Sequence, residues 1–220
     1  MNRIISCCIA LVLLAAGPAS AQWTVEYQPD LYSDFYEIVF PSATVGYIVG
    51  TGGSIMKSTD GGSTWVDQTS PVPDSFFDVF FIDVNNGWAV GDNGVIVSTT
   101  DGGANWVEHP QSKTICGSDI NSVYFVGSSG WFGSDDDNIY GTTDGGATWD
   151  TVGTFGDDIM SVSFASATVG YAAVDGDGIV YTTDGGTIRA EVRADSICID
   201  VCDEGPGIAD VDQAMQPGYS

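Results

Sequence analysis

The octapeptide Thr99-Thr-Asp-Gly-Gly-Ala-Asn-Trp106 has three related copies elsewhere in the 220-residue chain. An aspartate can accept hydrogen bonds from its own loop, and the following glycines supply positive φ without steric cost, so each octapeptide predicts a tight turn. The other copies are Ser58-Thr-Asp-Gly-Gly-Ser-Thr-Trp65, Thr142-Thr-Asp-Gly-Gly-Ala-Thr-Trp149 and Thr182-Thr-Asp-Gly-Gly-Thr-Ile-Arg189.

Two further sequence markers recur with nearly the same spacing as these turns. The four turn aspartates are 41, 43 and 40 residues apart, and a Gly-aromatic pair recurs with the same gaps. Apolar runs end in a phenylalanine about six residues before each pair. Repeats of about 40 residues that are built from strands and turns predict a β-propeller or a β-solenoid. The Gly-aromatic pairs begin at Gly46, Gly87, Gly130 and Gly170, and the runs end at Phe40, Phe81, Phe125 and Phe164.

The second repeat shows how one unit is built. It contains two strand-like runs, 76–82 and 87–91, then an Asn-Gly hairpin turn, a third strand at 95–99, and a fourth strand that carries Trp106. Four short antiparallel strands make one propeller blade. One blade cannot bury both of its faces, so the aromatic residue after each turn is expected to pack between neighbouring blades.

Composition narrows the function classes. The chain has thirty acidic residues against five basic ones, for a formal net charge of −25. Nucleic-acid binding requires a Lys/Arg face, and a polybasic membrane anchor requires a basic cluster, so both are excluded. The excess of aspartate over glutamate also favours turns over helix interiors.

The N-terminus has the features of an export signal. Arg3 precedes an apolar run over 4–17, and Ala19-Ser20-Ala21 is a small-residue cleavage pattern, which predicts a signal peptide over 1–21 and an exported protein. The apolar run is shorter than the roughly 20 residues that a membrane span needs, and no other span is predicted. Trp23 lies 42 residues before Trp65 and is expected in a strand that closes a final blade.

The octapeptides resemble the Asp-box, or bacterial neuraminidase repeat, and the fuller unit resembles the photosystem II assembly and stability factor family. The resemblance covers about 23–186 and implies an exported propeller, seven-bladed in that family, that serves as a protein-binding or assembly scaffold without a cofactor. In such repeats the Asp-box chiefly serves folding. The structural residues are Asp60, Gly61, Gly62 and Trp65; Asp101, Gly102, Gly103 and Trp106; Asp144, Gly145, Gly146 and Trp149; and Asp184, Gly185 and Gly186.

The fourth repeat departs from the pattern, because Arg189 stands where the motif has tryptophan. Residues 187–220 resemble a truncated GHKL ATPase fragment of the anti-sigma-factor serine kinase type, in which Asp203, Gly205 and Gly207 match the nucleotide-binding box. The phosphate-positioning parts that phosphoryl transfer requires are missing, so a non-functional remnant on a chimeric tail is expected. An ATP-binding, kinase-like regulator is the corresponding alternative function.

The residue types present distinguish between two classes of propeller enzyme. A sialidase needs arginines for the substrate carboxylate, and residues 22–186 contain none, which excludes that activity. A neutral-glycan hydrolase needs only two carboxylates, so a secreted glycan-active propeller remains the alternative function. The lone His109 is expected in a surface loop, and Cys116 is either a free thiol or a small buried apolar residue.

Two acidic turns are candidates for Ca²⁺, which prefers hard oxygen ligands. Turn chemistry alone also accounts for Asp, Asn and Gly at these positions, so no metal site is predicted. The candidate ligands are Asp135, Asp137, Asp175 and Asp177.

The sequence therefore predicts an all-β, partial propeller of about four four-stranded blades over 22–186, followed by a short unrelated fragment. The predicted function is that of an exported, non-enzymatic scaffold with a protein partner. An open arc of blades would leave unpaired strand edges, which predicts self-association.

Overall fold

The computed structural model describes residues 34–176 and 178–185, and the backbone of 190–193 and 196–199. These residues form β-strands and two single-turn 3-10 segments, with no α-helix among them. No helix in the described part is long and apolar enough to cross a bilayer. The predicted signal peptide, Trp23, Gly186 and the nucleotide-box residues 203–207 lie outside the described residues, so those predictions stand as predictions.

The first two repeats each form a four-stranded antiparallel sheet in which the strands pair in chain order. In each sheet a single 3-10 turn, Thr51–Gly53 or Asp92–Gly94, joins the second strand to the third. The first blade comprises β1 (Phe35–Val39), β2 (Gly46–Gly50), β3 (Ile55–Ser58) and β4 (Val66–Asp67), and the second comprises β5 (Phe76–Phe81), β6 (Gly87–Gly91), β7 (Ile96–Thr99) and β8 (Val107–Glu108).

The third and fourth repeats follow the same order, and the fourth sheet gains a fifth strand. The partial all-β propeller that the repeats predict is thereby confirmed. The third blade comprises β9 (Ile120–Val126), β10 (Ser129–Ser134), β11 (Asn138–Thr142) and β12 (Asp150–Thr154), and the fourth comprises β13 (Ile159–Phe164), β14 (Gly170–Val174), β15 (Gly178–Thr182), β16 (Ala190–Arg193) and β17 (Ser196–Ile199).

The last two strands of the fourth sheet, β16 and β17, lie beyond the predicted boundary at 187. The backbone of Val192 pairs with Ile179, which gives β16 the fourth-strand position. Arg193 pairs with Ser196, so β16 and β17 form an antiparallel pair. The alternating sequence of 191–201 is typical of one strand, whereas the structure has two strands in this region, β16 and β17. The separate origin of 187–220 stays a prediction.

The blades pack in sequence through their innermost strands, β1 on β5, β5 on β9 and β9 on β13. Each of the three junctions holds its own apolar core. The residues alternate along each strand, so a blade contributes one face to the junction before it and the other face to the junction after it. The first core centres on Tyr47, Phe81 and Trp106, the second on Trp88, Phe125 and Trp149, and the third on Trp131 and Phe164.

The glycine of each Gly-aromatic pair is required by close packing. A Cβ placed on Gly87 would lie 2.5 Å from the ring of Phe81, and one on Gly130 would lie 2.3 Å from Phe125. The other two pairs repeat the contact, at 2.6 Å for Gly46 with Phe40 and 2.3 Å for Gly170 with Phe164. No side chain larger than hydrogen fits beneath these rings. The Gly-aromatic pair and the phenylalanine that ends the preceding run therefore recur together because they contact each other.

We predict that Gly87→Ala destabilises the protein by about 1–3 kcal/mol, because the added methyl group overpacks a buried ring. Chemical denaturation monitored by tryptophan fluorescence measures this change. Gly117→Ala is the matched control, since nothing lies within 4 Å of a Cβ at Gly117. Equal effects of the two substitutions would contradict the close-packing explanation.

Candidate functional site

The Asp-box of the second blade is a closed network of short hydrogen bonds. Oδ1 of Asp101 accepts from Thr99 Oγ1 at 2.9 Å and from the Asn105 backbone N–H at 2.9 Å. Oδ2 of Asp101 accepts from Asn105 Nδ2 at 2.7 Å. Thr99 Oγ1 in turn accepts from the backbone N–H of Gly103 at 2.9 Å. The carboxylate therefore organises its own loop.

The first and third boxes repeat this network with threonine in place of Asn105. Oδ1 of Asp60 accepts from the Thr64 N–H at 2.8 Å, and Oδ2 accepts from Thr64 Oγ1 at 2.6 Å. For Asp144 the same bonds to Thr148 measure 2.9 Å and 2.7 Å. In the fourth box Thr182 Oγ1 donates to Asp184 Oδ1 at 3.1 Å.

The first glycine of every box ties the loop to the turn between the first two strands of the same blade. The Gly102 N–H donates to Asn85 O at 2.9 Å, and Gly185 donates to Thr168 O at 2.9 Å. Gly102 has φ +68° and Gly185 has φ +78°, which glycine adopts without strain. Gly61 and Gly145 make the equivalent bonds, to Thr44 O and Ser128 O.

These hydrogen bonds stabilise the ionised carboxylates. They lower the pKa of Asp60 and Asp101, mainly through the side chain four residues on, Thr64 or Asn105. For Asp144 the hydrogen bonds from Thr142 and then Thr148 lower the pKa to about 2. All three loops are therefore built around a negative charge at neutral pH.

The aromatic residue of one blade reaches the box of the next. The Tyr47 ring stacks on Phe81 with centroids 4.0 Å apart, and Trp106 meets Phe81 edge to face at 5.9 Å. The Tyr47 hydroxyl donates to Gly102 O at 2.8 Å, and Lys57 Nζ donates to the same oxygen at 2.6 Å. The Asp-box, the ring stack and the blade junction are therefore connected by direct contacts.

The later junctions repeat the stack. Trp88 lies on Phe125 with centroids 3.8 Å apart, and Trp149 meets Phe125 edge to face at 5.6 Å. Trp131 lies on Phe164 at 3.6 Å, and its Nε1 donates to Gly185 O at 3.4 Å. The stacks bury Trp106 and Trp149 between blades, whereas the carboxylates of Asp60, Asp101 and Asp144 are exposed and accept hydrogen bonds within their own loops.

The opposite end of the arc is formed by the turns between second and third strands and by the segments that join blades. We call this end the connection face. Its turns are anchored in a regular way: Asp92 N–H donates to Ser75 O at 2.9 Å, and Asp135 N–H donates to Asp119 O at 3.0 Å. The Asn93 N–H donates to Asp119 Oδ1 at 2.8 Å, which links the second blade to the third.

Negative charge is concentrated on the connection face. Among the described residues, the base on this face is Lys113, whose Nζ lies 2.6 Å from Asp74 Oδ2. The face carries many more aspartate carboxylates than lysine side chains. The aspartates of the face are Asp34, Asp74, Asp92, Asp119, Asp135, Asp136, Asp137, Asp157, Asp158 and Asp175.

The carboxylates are close enough to affect one another's ionisation. Partial burial raises the pKa of Asp158, and the negative charges of Asp135 and Asp137 raise it further. Burial likewise raises the pKa of Asp92, followed by the charge of Asp119. A positively charged ligand would relieve this repulsion.

The structure accounts for two of the calcium candidates by local contacts. Oδ1 of Asp135 accepts from Asn121 Nδ2 at 2.5 Å, and Asp137 occupies a turn position with φ +66°. Over the described ranges, 34–176 and 178–185, no group of three or more acidic, histidine or cysteine side chains is placed to hold a metal ion. Asp177 lies outside those ranges, so the calcium hypothesis itself is not tested.

Comparison with protein-family models matches residues 66–192 to the family described as photosynthesis system II assembly factor YCF48. This match covers more than half of the chain. The chain belongs to the YCF48 family. The predicted resemblance to photosystem II assembly factors is thereby confirmed, and the matched segment runs from β4 in the first blade to β16 in the fourth.

Two solved YCF48 structures have a similar fold. One described as "YCF48 bound to D1 peptide" has a TM-score of 0.61 and 24% identity, covering 73% of this chain and 55% of that one. YCF48 from Cyanidioschyzon merolae has a TM-score of 0.58 and 22% identity, covering 74% and 60%. The chain therefore spans less than two thirds of either YCF48 structure.

A third likeness is to an ancestral GH74 enzyme, with a TM-score of 0.58 and 21% identity, covering 69% of this chain and 23% of that enzyme. At such identities the three likenesses show the fold alone. Comparison with curated protein sequences gives no match.

Several buried polar contacts in this YCF48-family chain were not foreseen from its sequence. Gln111 clamps the backbone of Trp149: its Oε1 accepts from the Trp149 N–H at 2.8 Å and its Nε2 donates to the Trp149 carbonyl at 3.2 Å. The half-buried His109 accepts from the Gln111 N–H through Nδ1 at 3.1 Å. Cys116 is a buried free thiol, and burial raises its pKa.

We predict that Asp144→Asn lowers the unfolding temperature at neutral pH and that this difference shrinks in acid. The folded pKa of about 2 lies below the value of about 3.9 for an unfolded aspartate, so the charge contributes stability above about pH 4 and loses it as pH falls through 2. Thermal unfolding of both proteins between pH 7 and pH 2 measures this.

The control is Asp150→Asn, which removes an exposed charge six residues away on β12. Its unfolding temperature should follow that of the unsubstituted chain across the whole series. A destabilisation by Asp144→Asn that stays constant down to pH 2 would contradict a role for the carboxylate charge.

Proposed function

We propose that this YCF48-family chain is an exported, non-enzymatic assembly scaffold whose connection face binds a positively charged segment of a protein partner. The observation that carries the proposal is the family match, together with a fold shared with a YCF48 structure that has a D1 peptide bound. Export is supported by the N-terminal signal pattern in the sequence.

The connection face is proposed as the binding surface because of its charge. Its carboxylates are close enough to raise one another's pKa, as at Asp158, so a ligand that brings positive charge gains favourable interactions there. Lys113 is engaged with Asp74 and neutralises little of the face. A lysine- or arginine-rich peptide is the ligand class that fits this potential.

The Asp-box end is the less suitable surface. Its carboxylates are already used by their own loops, as Asp101 is by Thr99 and Asn105. Rebuilding those loops around a ligand would sacrifice hydrogen bonds that hold the blade together. On the connection face Asp119 and Asp135 also accept hydrogen bonds from neighbouring groups, so a ligand there would be met mainly by the remaining carboxylates.

The proposal is tested by fluorescence anisotropy with a labelled Lys/Arg-rich peptide and a Glu-rich peptide of equal length. We expect binding of the basic peptide that weakens as salt is raised. Asp137→Asn should weaken it about twofold to fivefold, the range for one exposed charge pair. Asparagine tolerates the positive φ at this position, so the turn is retained.

Asp150→Asn is the matched control, because it removes one charge from the same blade at the Asp-box end. It should leave the affinity unchanged. Equal binding of the two peptides, or equal effects of the two substitutions, would contradict a basic partner on the connection face.

Glycan hydrolysis is the second candidate function. It is favoured by the likeness to a GH74 enzyme and by Asp158, whose raised pKa is what a general acid requires. The scaffold proposal expects no release of reducing sugar from neutral polysaccharides. Turnover that Asp158→Asn abolishes and Asp150→Asn preserves would establish the enzyme instead.

A further inference from the structure

The three internal blade junctions are copies of one interface. Each junction joins a trailing face to a leading face. The trailing face contributes the aromatic of the Gly-aromatic pair and an isoleucine near the start of the third strand, and the leading face contributes a valine and a phenylalanine of the first strand. The trailing residues are Tyr47 and Ile55, Trp88 and Ile96, and Trp131 and Ile139; the leading residues are Val79 and Phe81, Val123 and Phe125, and Val162 and Phe164.

The first blade presents a leading face that no blade covers in the described structure. Ile38 and Phe40 occupy the valine and phenylalanine positions and are 51% and 43% exposed. Their internal counterparts are 2–4% and 3–7% exposed. The exposed part of this face is the part formed by the first strand. Ile48 on β2 and Met56 on β3, which lie on the same face, are buried.

This leading face is already arranged to receive a ring. Phe40 meets Trp65 edge to face at 5.9 Å, as Phe81 meets Trp106 at the first junction. A Cβ on Gly46 would lie 2.6 Å from the Phe40 ring, so the ring is held against the second strand as it is in the other blades. Among the described residues, no ring stacks on Phe40 as Tyr47 stacks on Phe81.

The fourth blade presents the complementary trailing face. Tyr171 and Ile179 are 53% and 45% exposed, whereas their internal counterparts are at most 8% exposed. Tyr171 is the same residue type as Tyr47, which stacks on Phe81 and donates its hydroxyl to Gly102 O. Tyr171 therefore carries both the ring and the donor that this interface uses.

We propose that the chain associates head to tail with a second copy, the trailing face of one fourth blade packing on the leading face of the other first blade. Tyr171 of one copy stacks on Phe40 of the other, and its hydroxyl donates to the carbonyl of Gly61. The occupant is a second copy because the two open faces are the two halves of an interface that the chain forms three times within itself.

Such a contact is heterologous, so it closes into a ring or continues into a longer chain. Two arcs of four blades make eight, which is within the range of known propellers. The net charge of −25 on each copy opposes the association. Raising the salt concentration screens this repulsion and strengthens the apolar contact, so association should increase with salt.

The test is sedimentation equilibrium of the purified chain over a range of protein and salt concentrations. We expect a mass of two copies or more that increases with both. Tyr171→Asp and Ile38→Asp should each weaken association at least 30-fold, as loss of a central interface residue does. Val107→Asp is the control, because Val107 is 62% exposed on β8, outside both faces.

Mixing the two variants distinguishes head-to-tail contact from any face pairing with itself. Each variant keeps one intact face, so an equimolar mixture should regain a two-copy species that neither forms alone. Association of Ile38→Asp by itself, or no gain on mixing, would overturn the proposal. So would a chain that stays monomeric under all conditions, as closure by its own N-terminal strand would produce.

Circular dichroism shows whether the variants are folded, and Ile38→Thr gives a milder change at a strand position should the aspartate prevent folding. Peptide anisotropy on the monomeric Tyr171→Asp chain should match the unsubstituted chain. The proposed function and the proposed association can therefore fail separately.

Discussion

The structure depends on one stacked pair of rings at each blade junction. A blade of four short strands exposes two apolar faces, and neither is buried until the next blade is in place. The stack of Tyr47 on Phe81 and its two later copies bury those faces. A glycine beneath each phenylalanine allows the ring to lie against the second strand. Packing therefore sets the spacing of all three sequence markers.

The Asp-box is the polar counterpart of this packing. Its carboxylate accepts hydrogen bonds from backbone N–H groups of the loop that would otherwise lack partners. The carbonyl of the first box glycine then accepts a hydrogen bond from the aromatic residue of the preceding blade, as Gly102 O does from Tyr47. Folding within a blade and docking between blades are thus connected through one carbonyl group. The aspartates of the connection face come from the blade connections and the turns between second and third strands, so the negative charge of that face is additional to that of the boxes.

The repeats predicted the strands closely because strand and turn chemistry are local. The second blade was expected to begin at 76 and to have its second strand at 87–91, and the structure has Phe76–Phe81 and Gly87–Gly91. The fourth strand was expected to carry Trp106, but it is Val107–Glu108 and begins just after that residue. The Asn-Gly turn is present as a 3-10 turn in which Asn93 has φ +55°.

Other features could not be predicted because they join residues far apart in the chain. The clamp of Gln111 on Trp149 spans 38 residues and lies in the connection 109–119, which is longer than the corresponding connections 68–75 and 155–158. The aspartates cluster at one end of the arc because the topology brings particular turns together there. The total charge of the sequence does not reveal this clustering. The predicted protein-binding class rested on family resemblance rather than on any single residue.

Since every junction is assembled from the same few parts, a gene segment encoding about 40 residues carries all that is needed to join its neighbours on both sides. Duplication or loss of such a segment would lengthen or shorten the arc without requiring any new contact to evolve. Blade number is therefore the property of this architecture that can change most readily between relatives, while the chemistry of each junction stays constant.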